Sequence, residues 1–189
     1  MQKPYKPASL TQTVMTELMV PSYANFGGKI HGGTILSLMD KVAYVCASKH
    51  AGAYCVTASI DVVDFLAPVE VGELLSLRAM VNYVGKSSMV IGIRVESENV
   101  KKGIIKHTNT SYFTMVAQDD DRKLLEVPGL ILETVDDVRR YIESMRRKKI
   151  RTTIKKETEQ RIKTPFEKET AFDLLKNERC VIDVAAYNY

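Results

Sequence analysis

The chain has 189 residues, 45% of them hydrophobic, which is enough for one well-cored domain with an appendage and too little for a second full domain. It holds no apolar run long enough to span a bilayer, and its first seven residues, MQKPYKP, lack the apolar core of a signal peptide, so a soluble, cytoplasmic protein is expected. The net charge of +4 sits in one segment: residues 136–163 carry 11 Lys and Arg against 5 Asp and Glu, while residues 1–135 carry 13 of each.

Taken in order, residues 1–9 are proline-punctuated and read as a flexible arm, and residues 11–20 alternate as a strand that Pro21 ends. The loop 22–29 carries Asn25 and the first of two glycine pairs, Gly27 with Gly28 and Gly32 with Gly33. From Thr34 to Lys49 apolar residues fill most of a helical circumference, which predicts an interior helix. Four long strands follow, over 54–65, 73–84, 88–98 and 104–116, separated by Pro68 with Gly72, by Gly85, and by Gly103. A strand, a buried helix and four strands in a meander predict an α+β domain over residues 10–132, one curved antiparallel sheet wrapped around one helix.

Residues 133–189 read as a C-terminal helical extension. Thr134 and Asp137 form a capping box that opens a helix with Val135, Val138, Ile142 and Met145 on one stripe. A second box, Thr164 with Glu167 and Pro165 between them, opens a shorter helix through Phe172 and Leu175.

One charge interrupts the apolar helix. Asp40 lies on the flank of the apolar arc, where it is either a border residue that reaches solvent or a general base held in a dry site. Gly32 and Gly33 at the helix start offer backbone N–H groups with no side chain in the way, which can hold a carbonyl oxygen or simply let the helix into a crowded core. Asn25 either forms its turn or takes part in a site. Cys46, Cys55 and Cys180 show no metal-ligand spacing and no redox pair, so no metal and no disulfide framework is expected. His31, His50 and His107 are scattered, and the motifs of serine hydrolases and nucleoside triphosphatases are missing from the sequence.

Asn25, the two glycine pairs and a helix carrying Asp40 on its apolar flank resemble the hotdog-fold acyl-CoA thioesterases, in particular the cytosolic acyl-CoA hydrolases and their short bacterial relatives. The resemblance covers about two thirds of the chain, residues 10–132. It implies the hotdog fold, a homodimer that pairs sheets edge to edge, further assembly into a tetramer or hexamer, and hydrolysis of acyl-CoA in fatty acid metabolism. Coenzyme A is then part of substrate and product, and no separate cofactor is needed.

Under that resemblance Asp40 acts as general base, or as nucleophile through an anhydride, and faces Asn25 of the other subunit, while the N–H of Gly33, with Gly32 nearby, polarises the thioester carbonyl. Thr57 lies in a strand segment that the family places beside the substrate. His31 is grouped with the substrate-binding residues, although a lone histidine beside a glycine pair is more often structural than catalytic. Lys86, Ser87 and Ser88 follow Gly85 at a turn where they can meet pantetheine or phosphate, or face water as hairpin residues usually do. A hydratase would need a histidine spaced to work with Asp40, and neither His31 nor His50 is. The alternative is a non-catalytic acyl-CoA sensor on the same fold; nucleic-acid binding through the basic segment is disfavoured by its interspersed Glu and its single aromatic, Tyr141.

Overall fold

Helix α1, Gly32–Ala51, is the element the rest encloses. It starts two residues before the expected Thr34 because His31 caps it, and it ends at Gly52, whose φ of 69° closes the last turn in the left-handed region that glycine reaches without strain. The computed structural model describes residues 5–163, 173–175 and 178–181. Around α1 run β2 (Thr13–Leu18), β3 (Tyr54–Ile60), β4 (Leu74–Val84), β5 (Ser88–Asn99) and β6 (Ile104–Gln118), following a short strand β1 (Tyr5–Pro7).

The five long strands form one antiparallel sheet in the order β2-β4-β5-β6-β3. This is the curved sheet around a helix that the hotdog fold describes. The expected four-strand meander is corrected: only β4, β5 and β6 follow one another, and β3 pairs with β6 at the far edge, because α1 and the 61–73 connection carry the chain across the sheet. β3 is also shorter than expected. A bulge at Ala58 shifts its register between Thr57 and Ser59, and beyond Ile60 the ladder gives way to separate bonds, among them Asp61 N to Tyr112 O, Ser111 Oγ to Asp61 O and Leu66 N to Thr108 O.

The concave face meets α1. Met39, Val42, Ala43, Cys46 and Ala47 pack against Leu75, Leu77, Val81, Met89, Ile91, Phe113 and Met115, all buried. Alternation along β4, β5 and β6 places these on one face, as a period of two requires.

The arm expected to be flexible is held from Tyr5 onward. β1 pairs in parallel with β7 (Gly129–Ile131), the ring of Tyr5 lies over Gly129 where a Cβ would collide with it, and Lys6 Nζ donates to His50 O at 2.8 Å. Helix α2 runs from Val135 to Lys163 and its capping box forms: Thr134 Oγ1 accepts from Asp137 N at 3.1 Å, and Asp137 Oδ2 accepts from Thr134 N at 3.0 Å. Its apolar stripe turns outward, with Val135, Val138, Ile142 and Met145 exposed, while Asp137, Tyr141 and Ser144 face the sheet. Tyr141 packs on Tyr83 with ring centroids 5.0 Å apart.

Two compact units divide the chain between Arg146 and Arg147. The first contains both sheets and the opening turns of α2; in the second, residues 147–163 are a charged helix with Ile150, Ile154 and Ile162 exposed. The second capping box, Thr164 to Glu167, lies outside the described residues.

Candidate active site

Asp40 is on the open side of α1. Gly33, Ser37, Asp40, Lys41 and Tyr44 recur at helical spacing and are exposed, so α1 is enclosed on three sides and bare on the fourth. This corrects the expectation of a wholly interior helix: in the single chain the Asp40 carboxylate is exposed at the border of the apolar arc, one of the two readings its position allows, and Tyr44 and Val45, which complete the apolar circumference in sequence, are exposed beside it.

The carboxylate is nevertheless positioned. Thr57 Oγ1, on the edge strand β3, donates to Asp40 Oδ1 at 2.5 Å. The bulge that follows Thr57 lets this residue face the helix although the strand is about to leave the sheet. Met115 packs beneath, its sulfur 3.4 Å from the same hydroxyl. Helix and strand thus wall a groove of about 510 Å³, lined by Asp40, Tyr44, Val45, Tyr54, Thr57 and Met115 among others. Sequence reasoning missed Tyr44 and Tyr54; their only signal is aromatic type at the end of a helix and the start of the next strand.

At the helix start the N–H of Gly33 is not free, contrary to expectation. His31 Nδ1 accepts from it at 2.9 Å, and His31 O accepts from Thr34 N and Ile35 N at 2.9 and 3.4 Å. His31 is therefore the N-cap, with its ring proton on Nε2 when neutral. Among the described residues, the first-turn donor left without a partner is Gly32 N. The ring of Phe65 packs on Gly32, 3.2 Å from where a Cβ would stand, so a larger residue there would have to push the ring aside by a few tenths of an ångström.

Asn25 shapes its own turn. Its Oδ1 accepts from Gly27 N at 2.9 Å and Lys29 N at 3.2 Å, and Gly28 takes a φ of 76°. The turn projects Phe26, which is fully exposed. Asn25 and His31 line a cleft of their own, separate from the Asp40 groove. A single chain brings Asp40 to Thr57, and Asn25 near His31, without joining the two pairs.

Lys86 and Ser87 lie in the β4–β5 turn and Ser88 opens β5. Lys86 O accepts from Val127 N at 3.0 Å and Ser87 O from Ala117 N at 2.9 Å; Lys86 lines a different cavity with Tyr5 and Tyr141. None of the three reaches the Asp40 groove in one chain. Chemically, the site offers a carboxylate fixed in direction by a hydroxyl, able to take a proton from water, and a helix N-terminus with an available amide.

Residues 27–104 match the thioesterase superfamily. Protein VdlD of Helicobacter pylori is 44% identical over 145 residues, which is 77% of this chain and 83% of that protein. A hexameric acyl-CoA thioesterase solved in its apo form is 37% identical with a TM-score of 0.77, covering 79% of this chain and 96% of its own. An acyl-CoA hydrolase from Staphylococcus aureus, solved with butyryl coenzyme A, coenzyme A and coenzyme A disulfide, is 34% identical with a TM-score of 0.76, covering 84% of this chain and 97% of its own. Variants of that enzyme with an asparagine, an aspartate and a threonine each replaced by alanine have been solved as well.

Proposed function

Because this chain belongs to the acyl-CoA hydrolases of the thioesterase superfamily, we propose that it hydrolyses acyl-coenzyme A to a free fatty acid and coenzyme A, with Asp40 activating the water. The observation that carries the reading is the Thr57–Asp40 hydrogen bond in an open groove beside an edge strand. The replaced asparagine, aspartate and threonine of the Staphylococcus aureus enzyme are spaced along its chain by the same intervals as Asn25, Asp40 and Thr57, which supports these three as the working set.

In this scheme water attacks the thioester carbon, Asp40 takes its proton, and the oxyanion collects on the helix N-terminus. Gly32 N is the donor at hand, and Gly33 N lies beside it, held by His31 Nδ1 at 2.9 Å. The thiolate leaves readily, since an ordinary thiol titrates at about 8.5. Attack by Asp40 itself, through an anhydride, balances equally well.

The site is half-built in one chain. β3 is an edge strand, and the open face of α1 exposes Tyr44 and Val45 beside it. A second copy pairing along β3 covers that face and brings its own Asn25 turn, with the exposed Phe26, toward Asp40. A homodimer is the working unit, and higher assembly to a tetramer or hexamer follows from the same chains.

The test is steady-state hydrolysis of acyl-CoAs by wild type and by Asp40→Asn, with particle mass measured on both. Asp40→Asn is expected to keep the mass and lose at least about 100-fold in kcat, the lower range for a general base. Full turnover by Asp40→Asn, or acyl-CoA binding without thiol release by wild type, would overturn the proposal.

A further inference from the structure

The convex face of the sheet, on the far side from α1 and Asp40, carries a polar cleft of its own. In one row across the strands stand Val14, Arg78, Arg94 and Thr110, so two arginines lie directly opposite each other on β4 and β5. Like charges in that position repel. One carboxylate answers both: Glu96 Oε1 accepts from Arg94 Nε at 2.8 Å, and its Oε2 lies 3.5 Å from Arg78 Nε. Two positive charges therefore share one negative. The next row holds Met80, Gly92 and Tyr112. Gly92 brings no side chain, which leaves a hollow in that row. Asn82, at the bulge of β4, lays its amide there, where any side chain at Gly92 would collide with it. Asn82 is 8% exposed, yet among the described residues its amide has no hydrogen-bond partner. The opening turns of α2 complete the cleft with Arg139, Arg140 and Glu143, and it measures about 400 Å³.

We propose that this cleft binds a phosphate group, as the inorganic ion or as the end of a small phosphomonoester, at a site separate from the groove beside Asp40. A phosphate dianion offsets the charge that Glu96 leaves uncompensated on the Arg78–Arg94 pair, and the planar guanidinium forks meet its oxygens two at a time. The Asn82 Nδ2 supplies a further donor, and burying that amide stops being a cost once an oxygen accepts from it. A monocarboxylate brings one charge and two oxygens, and satisfies the same set less completely. The arginines of α2 contribute less. Arg139 is held by Asp136 and by Glu143, and Arg140 by Asp136, with Asp137 3.7 Å away, so their charge is largely spent on their own helix.

The experiment is titration calorimetry of the full-length protein with inorganic phosphate, glucose 6-phosphate and glucose, at about pH 7.5, where a phosphomonoester is largely a dianion. An ionic strength of about 0.15 M screens loose surface attraction. Wild type is expected to bind at least one of the two phosphates saturably, with a Kd of about 1 mM or tighter, and not to bind glucose. Preference for glucose 6-phosphate identifies a phosphomonoester, and equal or tighter binding of inorganic phosphate identifies the free ion; both support the proposal. Asn82→Asp, which keeps the shape and sets a carboxylate in the hollow, and Arg94→Gln are each expected to weaken binding at least about tenfold. Lys148→Gln combined with Lys149→Gln, in the basic stretch of α2, is expected to leave it within about twofold. Wild type without saturable binding up to about 10 mM overturns the proposal, as does glucose binding as tightly as its phosphate. So does equal binding by wild type and by variants that keep native circular dichroism and particle mass, or a loss confined to the double lysine variant. If Asn82→Asp does not fold, Arg94→Gln, at a half-exposed position, is read alone. None of these readouts depends on acyl-CoA turnover.

Discussion

Thr57 and Asp40 are 17 positions apart in sequence and bonded at 2.5 Å, Oγ1 to Oδ1, across the groove between β3 and α1. The bond locks the rotamer of a carboxylate that is otherwise exposed. Replacing Thr57 with Val keeps the shape and removes the donor. A hydrogen bond to a charged group contributes about 1.5–3 kcal/mol, so kcat should fall roughly 10- to 100-fold with particle mass unchanged. Thr57→Ser keeps the hydroxyl and should recover most of the rate; equal loss in both variants would show that the hydroxyl is not what matters.

Gly33→Ala separates stability from activity. A Cβ there stands 2.9 Å from His31 Cε1 and Nδ1, so the cap must move. Losing a side-chain cap costs about 1 kcal/mol, and Ala for Gly inside a helix returns about 0.5–1 kcal/mol. These nearly cancel, so the melting temperature should stay within about 3 °C. Hydrolysis should drop by about 100-fold, the usual effect of disturbing an oxyanion donor. A large stability loss with unchanged kcat/KM would assign the glycine a purely structural role.

His50 makes the fold acid-sensitive. It is 2% exposed, Nε2 donates to Pro128 O at 2.9 Å, and Nδ1 has no partner. Burial pushes its pKa below the ordinary value of 6.5, against the pull of the Pro128 bond and helped by the nearby Lys6 charge. Above pH 6.5 both folded and unfolded forms hold a neutral ring and the full stability is present. As the pH falls below 6.5 toward the depressed folded value, the unfolded chain takes up a proton that the folded one refuses, and stability is lost. Thermal unfolding followed between about pH 7.5 and 5.5 should therefore fall more steeply for wild type than for His50→Gln; parallel curves would exclude His50 as the cause.

The three cysteines differ in reactivity. Burial pushes the Cys46 thiol up to about 12, and its Sγ donates to Thr11 O at 3.2 Å. Burial also raises Cys55, while Cys180 is exposed. A thiol reagent at about pH 8 should titrate one equivalent quickly in the native protein and all three after unfolding, since the thiolate is the reacting form. Fast reaction of two or more native thiols would mean that the groove floor at Cys55 opens.

Local signals in the chain wrote themselves into the structure wherever a few neighbouring residues decide the outcome. The apolar run after the glycine pairs became α1, Gly72 and Gly103 took left-handed φ values at two strand breaks, and Thr134 and Asp137 closed their box. The resemblance carried by Asn25, the glycine pairs and Asp40 led to the right family.

What the sequence by itself determined, then, was the set of elements, the sheet-around-helix architecture and the residues to examine, because backbone preference, capping and periodicity act over a turn or a strand. Tertiary structure alone decided that β3 pairs with β6 at the sheet edge, that α1 leaves Asp40, Tyr44 and Val45 bare, that His31 occupies the N–H of Gly33, and that the stripe on α2 faces outward. These depend on contacts between residues distant in the chain. An apolar stripe can equally face its own core or a second copy, and only the packed neighbours settle which.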